Sequence, residues 1–128
     1  MNDNDNSIIT SLKYGSFSIL FTGDAGWESL RTIINDVKGD IDVLKVPHHG
    51  AKGCLDYETV TYLNPKVSVI SVGENKFGHP ARQILDLLKV STVLRTDRDN
   101  SIKIKVGKKE FQVYSYNINA KKYEKVKL

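Results

Sequence analysis

Three short segments hold all three histidines of the chain, together with one aspartate that could join them in chemistry. These segments are Thr22-Gly23-Asp24, His48-His49-Gly50 and Gly78-His79-Pro80. Each lies where an apolar, strand-like run gives way to a loop, and strand ends of this kind often meet at one edge of a sheet. A carboxylate and imidazoles that meet there would suit a divalent metal ion such as Zn²⁺ or Mn²⁺.

Each segment also has an ordinary structural interpretation. Asp24 precedes a predicted helix and could be a turn former or a helix N-cap. The adjacent His48 and His49 could be structural or merely exposed on a loop, and Gly78-His79-Pro80 is a common entry into a helix. The order and spacing of the three segments, taken together, favour a functional site over these separate explanations.

The elements that must position these residues follow from the apolar pattern. Strands are predicted over residues 7–14, 17–22, 41–46, 67–72, 92–95, 102–106 and 111–116. Helices are predicted over residues 26–38, 55–63 and 80–89, with Pro80 at the first helical position. Strands that alternate with helices between flanking hairpins predict a mixed α/β sheet protein, and 128 residues suit a single domain over the whole chain.

The composition is that of an ordinary globular protein, with 40% hydrophobic and 27% charged residues. No apolar run approaches the ~20 residues that cross a bilayer, and the polar N-terminus MNDNDNS lacks the features of a signal peptide. We therefore expect a soluble chain. Cys54 is the single cysteine, which excludes a disulfide within the chain. Cys54 could be a nucleophile or metal ligand, but its distance from any motif favours a small, semi-buried side chain.

Positive charge is concentrated toward the C-terminus. Residues 95–128 hold ten Lys and Arg against four Asp and Glu, whereas residues 1–94 hold nine against eleven. This basic region could meet the phosphates of a nucleic acid, or it could be a solvated lysine-rich surface. Phe111, Tyr114 and Tyr116 would suit a nucleic-acid strand, although packing within the sheet is the favoured explanation for them.

The motifs also resemble a known family. The segments Thr22–Asp24, Leu44–Gly50, Ile70–Gly73 with Gly78–Pro80, and Arg95–Asp99 run in the order seen in ComEC-type metallo-β-lactamase domains. The resemblance covers roughly residues 6–106, and it implies an αββα sandwich with a metal site at one edge of its sheets. It also implies a hydrolase that acts on DNA phosphodiesters during DNA uptake.

The resemblance assigns expected roles to the site residues. Asp24 would match the carboxylate that bridges two metal ions, and His48 or His49 would match the last imidazole ligand, with His48 preferred. His79 would lie near the leaving group or substrate phosphate, where it could act as a general acid. Ala51 departs from the Gly-Ser that more often follows the paired histidines.

The His-rich motif of such enzymes, HxHxDH or HxDxDH, does not occur in this sequence. We therefore expect the C-terminal half of the fold, with an incomplete metal site that is inactive on its own and binds zinc or manganese weakly. Two hypotheses stay open. The chain could be part of a hydrolase, completed by a complementary N-terminal half. It could instead be a non-catalytic module that pairs with a partner or, as a homodimer, with itself, covering an open sheet face.

Overall fold

Two β-sheets form the framework of the protein, for which a computed structural model describes residues 3–128. The larger sheet has five strands in the order β1-β2-β3-β4-β5: β1 Thr10–Tyr14, β2 Phe17–Phe21, β3 Val43–Lys45, β4 Val67–Ile70 and β5 Thr92–Arg95. β1 runs antiparallel to β2, and β2 to β5 are mutually parallel. The second sheet is antiparallel: β6 Ile102–Val106, β7 Phe111–Asn117 and β8 Lys122–Lys125.

Short helices connect the parallel strands. The α-helices are α1 Trp27–Ile33, α2 Tyr57–Leu63, α3 Arg82–Leu87 and α4 Thr96–Asp99. Among residues 3–128, four 3₁₀ turns accompany them: Asp3–Asn6, Ile34–Asp36, Pro47–Gly50 and Leu88–Val90. The predicted mixed α/β architecture with flanking helices is confirmed. The prediction that Pro80 opens a helix is wrong, because α3 begins at Arg82 with Ala81 as its N-cap.

The core divides into two apolar layers because successive strand residues face opposite sides of the larger sheet. Leu20 and Leu44 face α1, α2 and α3, where they pack with Leu30, Leu63 and Ile84 in one cluster. The neighbouring strand residues form a second cluster with the smaller sheet: Phe17, Ile19, Val43, Val67, Leu94 and Val113, with Ile102, Ile104 and Phe111 packed against them.

The smaller sheet corrects one expectation. The sequence offers no obvious cover for the second face of the larger sheet, but β6 and β7 cover part of it. A cleft of about 450 Å³ remains between the two sheets. Leu12, Phe21 and Val106 line it and are exposed, so the cleft opens to solvent. In residues 3–128, none of the helices has the length and apolar character needed to span a bilayer.

Candidate functional site

The parallel strands bring the three histidine- and aspartate-bearing segments to one edge of the larger sheet. β2 leads into Asp24, β3 into His48 and His49, and β4 into the loop that ends at His79. The Nε2 atom of His49 lies 4.0 Å from the Oδ1 atom of Asp24. The ring of His48 lies 6.3 Å from that of His49 and 5.7 Å from that of His79, measured between centroids. The structure therefore places all four side chains in one group.

Asp24 is not the cap of the helix that follows it. The N-cap of α1 is Gly26, with no side-chain cap hydrogen bond. Asp24 lies in a turn and donates its backbone amide to Ser7 Oγ at 3.2 Å. Its side chain is 48% exposed and that of His49 is 52% exposed, so both stay accessible. The carboxylate is left free to face the imidazole of His49.

The backbone of the paired histidines is strained. Both lie in the left-handed region, with φ of 46° at His48 and 54° at His49. A non-glycine residue held there costs of order 1–3 kcal/mol, and such residues cluster at functional sites. The turn is held from both sides, because the His48 amide donates to the Gly23 carbonyl at 3.0 Å and the Ala51 amide donates to the His48 carbonyl at 2.9 Å.

His49 is oriented by a hydrogen bond from its second ring nitrogen. Its Nδ1 lies 2.7 Å from the carbonyl oxygen of Ser71. A carbonyl only accepts, so Nδ1 carries the proton, and in the neutral ring Nε2 then presents its lone pair toward Asp24. This arrangement is typical of metal-binding histidines. His48 points elsewhere, with its Nδ1 3.4 Å from Asn4 Nδ2 and its ring against His79.

The loop that carries His79 is held by Asn75. Its Nδ2 donates to the carbonyls of Gly73 at 2.9 Å and His79 at 2.8 Å. Its Oδ1 accepts from the amides of Phe77 at 3.1 Å and His79 at 3.0 Å. The ring of Phe77 is 81% exposed and stacks on the His79 imidazole at 5.6 Å. Within residues 3–128, the buried Nδ1 of His79 has no hydrogen-bond partner.

The run from Arg95 to Asp99 contacts the start of the loop that carries His79 and does not join the group formed by Asp24 and the three histidines. Thr96 Oγ1 donates to the Val72 carbonyl and accepts from the Val72 amide, both at 2.7 Å. Arg95 donates two hydrogen bonds to the Asp97 carboxylate, and these lower the pKa of Asp97. Thr96 thus anchors the backbone just after β4, at Val72.

Two further groups lie near the edge but are not poised for chemistry. Burial raises the pKa of the Cys54 thiol to about 12, so it is protonated and inert as a nucleophile at neutral pH. Burial also lowers the pKa of Lys45, while the charge of Asp24 acts against that shift. The structure agrees with the interpretation of Cys54 as a small buried side chain.

Sequence reasoning missed the residues that position the site by hydrogen bonding. Ser7 binds the Asp24 amide, Ser71 binds His49, and Asn75 closes the last loop. Asn75 alone carried a signal, since asparagine is a common turn former. Ser7 acts through its hydroxyl and Ser71 through its backbone carbonyl, and nothing in the sequence singled out either residue.

The donor atoms of the edge group fall short of a complete metal site. Over residues 3–128, no group of three or more His, Cys, Asp or Glu side chains is arranged to hold a metal ion. Asp24 and His49 converge as a pair, whereas a closed zinc site has four ligands. The described residues alone therefore do not build a metal centre, although the pair has the right chemistry to be part of one.

The fold and the edge group define a mixed α/β domain with a polar cluster at the ends of its parallel strands. The chain is 37% identical to ComE operon protein 3 of Bacillus subtilis over 121 residues, which covers 87% of this chain and 15% of that protein. It is 33% identical to Recombination protein 2 of Haemophilus influenzae over 87 residues, or 67% of this chain and 11% of that protein. The chain thus corresponds to a small part of each relative. No protein-family model and no solved structure matches it.

Proposed function

We propose that this chain is the C-terminal half of a ComEC-type metallo-β-lactamase-fold hydrolase that acts on DNA phosphodiesters during DNA uptake. The similarity to ComE operon protein 3 and Recombination protein 2 supports the role in DNA uptake. The motif order from Thr22 to Asp99 supports the hydrolase class. The two packed sheets, with helices on the outer face of the larger one, are compatible with half of an αββα sandwich.

The observation that carries this proposal is the facing pair of Asp24 and His49. A carboxylate oxygen and an imidazole nitrogen lie 4.0 Å apart, both half-exposed, and the imidazole is fixed through its other nitrogen. We assign Asp24 and His49 as the ligands this chain contributes, in preference to the predicted His48. The remaining ligands would come from residues outside this chain.

His48 and His79 are assigned to the substrate side of the site. Their rings contact each other, and His79 has a buried ring nitrogen without a protein partner in the described part of the chain. A histidine in this position could hydrogen-bond a phosphate oxygen or protonate a leaving group. The left-handed backbone at His48 and His49 lets the adjacent side chains point in different directions, so that His49 can be a metal ligand while His48 faces the substrate.

A non-catalytic module is the second candidate function. It is favoured by the incomplete ligand set in residues 3–128 and by the solvent-open apolar cleft between the sheets. Such a module would keep the fold and act by pairing with a complementary chain or a second copy of itself.

Titration of the ¹⁵N-labelled chain with Mn²⁺, followed by NMR line broadening, tests the ligand assignment. Amides flanking Asp24 and His49 should broaden first, and Asp24→Asn and His49→Gln should each abolish the effect. His48→Gln is the matched control, and it should leave the broadening in place. Broadening that begins elsewhere, or that survives both ligand variants, would refute the assigned pair.

Hydrolysis is tested in trans. A chain that carries an HxHxDH segment is mixed with this one, and cleavage of a labelled oligonucleotide is followed with Mn²⁺ or Zn²⁺ present. Cleavage that requires both chains and is lost with Asp24→Asn supports the hydrolase. A stable complex of the two chains that cleaves nothing supports the module.

A further inference from the structure

The outer face of the smaller sheet carries lysines and tyrosines. Lys103, Tyr114 and Lys125 lie in one row across β6, β7 and β8, and Tyr116 pairs with Tyr123 in the next row. Alternation along the strands adds two more residues to this face. We call it the lysine–tyrosine face, and its members are Lys103, Lys105, Gln112, Tyr114, Tyr116, Tyr123 and Lys125.

The opposite face of the same sheet packs against the larger sheet and carries one lysine and one carboxylate within its strands. Ile104 and Val113 pack against the larger sheet, and Glu124, the one carboxylate within these three strands, lies on that side bonded to Asn117. Lys122 lies on the same side as Glu124, so the charges of that face cancel. The lysine–tyrosine face has positive charge that no carboxylate of its own strands offsets.

The rings on this face are held in defined positions. The Lys103 ammonium lies 4.1 Å from the ring centroid of Tyr123 and 5.0 Å from that of Tyr114. Tyr116 and Tyr123 meet edge to face at 5.2 Å. Tyr123 is tied by its hydroxyl to Ser101 at 2.8 Å and remains 36% exposed. Within residues 3–128, no ion pair engages the three lysines of the face.

We infer that the lysine–tyrosine face binds single-stranded DNA. Its lysines meet the phosphates, and its tyrosine rings stack on bases. An acidic peptide would contact the lysines but would leave the tyrosine rings unused. A duplex is disfavoured because its bases are stacked on each other and cannot reach the rings. The choice of DNA over RNA rests on the proposed function, whereas the choice of a single strand rests on the face itself.

Fluorescence anisotropy with a labelled thymidine oligonucleotide of about 12 nucleotides measures this binding. EDTA is present, so that metal ions play no part. An oligomer of the same length with abasic tetrahydrofuran units carries the same phosphates without bases. We expect the thymidine oligomer to bind at least about fivefold more tightly, as stacking contributes for each base. Binding of both should weaken with salt, with a log–log slope of about −2 for three lysines.

Two variant pairs separate charge from stacking. Lys103→Gln with Lys105→Gln should weaken binding by about tenfold, whereas Lys13→Gln with Lys38→Gln removes the same charge elsewhere and should change it less than about twofold. Tyr123→Leu should weaken binding of the thymidine oligomer by about fivefold and leave the abasic oligomer unchanged, while Tyr123→Phe keeps the ring and the affinity.

Circular dichroism and thermal melting establish that each variant is folded. Equal affinity for the abasic and thymidine oligomers, tighter binding of a duplex, or equal effects of the two lysine pairs would overturn the inference. Because the assay contains EDTA, oligonucleotide binding is measured without any contribution from a metal ion at the Asp24–His49 pair. A chain that does not bind the oligonucleotide would contradict the inference about this face but not the proposed hydrolytic site. A chain without Mn²⁺ broadening at Asp24 and His49 would contradict the ligand assignment but not the inference about this face.

Discussion

Pro80 lies so close to Gly50 that a Cβ atom on Gly50 would stand 2.7 Å from the Pro80 Cβ. The contact joins the paired-histidine turn to the end of the His79 loop, and the Ala81 amide reinforces it by donating to the Gly50 carbonyl at 2.8 Å. The relative position of His49 and His79 thus depends on a residue without a side chain.

Gly50→Ala should therefore destabilise the protein beyond the cost of its backbone conformation. Gly53 is the matched control, because it has the same φ of 77° and a Cβ atom added there would meet nothing within 4 Å. We expect Gly50→Ala to cost about 1–3 kcal/mol more than Gly53→Ala in the free energy of unfolding, the usual range for overpacking. Urea denaturation of both variants measures the difference, and equal midpoints would show that the two loops do not depend on this contact.

Asn75 should determine the order of the loop that carries His79. Asn75→Ala removes the acceptor for the Phe77 and His79 amides, and each lost bond corresponds to about a fivefold change in local opening. Exchange of these two amides, measured by NMR, should accelerate by that factor. Asn75→Asp keeps the acceptor but turns an oxygen toward the Gly73 and His79 carbonyls, which can only accept, so it should restore only part of the protection. Unchanged exchange of the Phe77 and His79 amides in Asn75→Ala would show that the Asn75 hydrogen bonds do not order this loop.

Much of this site could be predicted, because parallel strands with apolar runs must end at one edge. The convergence of Asp24 with the histidines follows from that rule. The sequence favoured His48 as the ligand but could not show that His49 is the one that faces Asp24, since that depends on two left-handed residues and on the Ser71 carbonyl. β8 was missed because its four residues are all exposed and show no apolar alternation.

Cys54 should be unreactive in the folded protein. Its pKa is raised from 9.0 to about 12 by burial, so the thiolate that reacts with alkylating agents is scarce at pH 8. Iodoacetamide should modify Cys54 only after unfolding in urea. Rapid modification of the native chain would show that the thiol is more accessible than its 3% exposure indicates.

The same thiol should make stability depend on alkaline pH. The unfolded state loses the proton near pH 9 while the folded state keeps it to about pH 12, so ionisation favours unfolding in that window. Stability relative to Cys54→Ala should be constant below pH 9 and then fall by up to about 1.4 kcal/mol per pH unit. Lys45, whose lowered pKa acts in the opposite sense, is present in both proteins and cancels to first order. Urea midpoints at pH 8 and pH 10.5 provide the comparison.

The cleft between the sheets leads us to expect that the chain associates with itself or with a complementary chain. Its lining includes Leu12 and Phe21, which are exposed on β1 and β2, and β1 is an edge strand with every residue exposed. Burial of apolar surface stabilises by about 25 cal/mol per Å², so covering this cleft favours association. Sedimentation velocity at micromolar concentration should show a dimer or larger species. Leu12→Lys with Phe21→Lys should shift it toward monomer, whereas Tyr57→Lys, on the exposed surface of α2, should not. A wild-type chain that stays monomeric would show that the smaller sheet already covers enough of the apolar face.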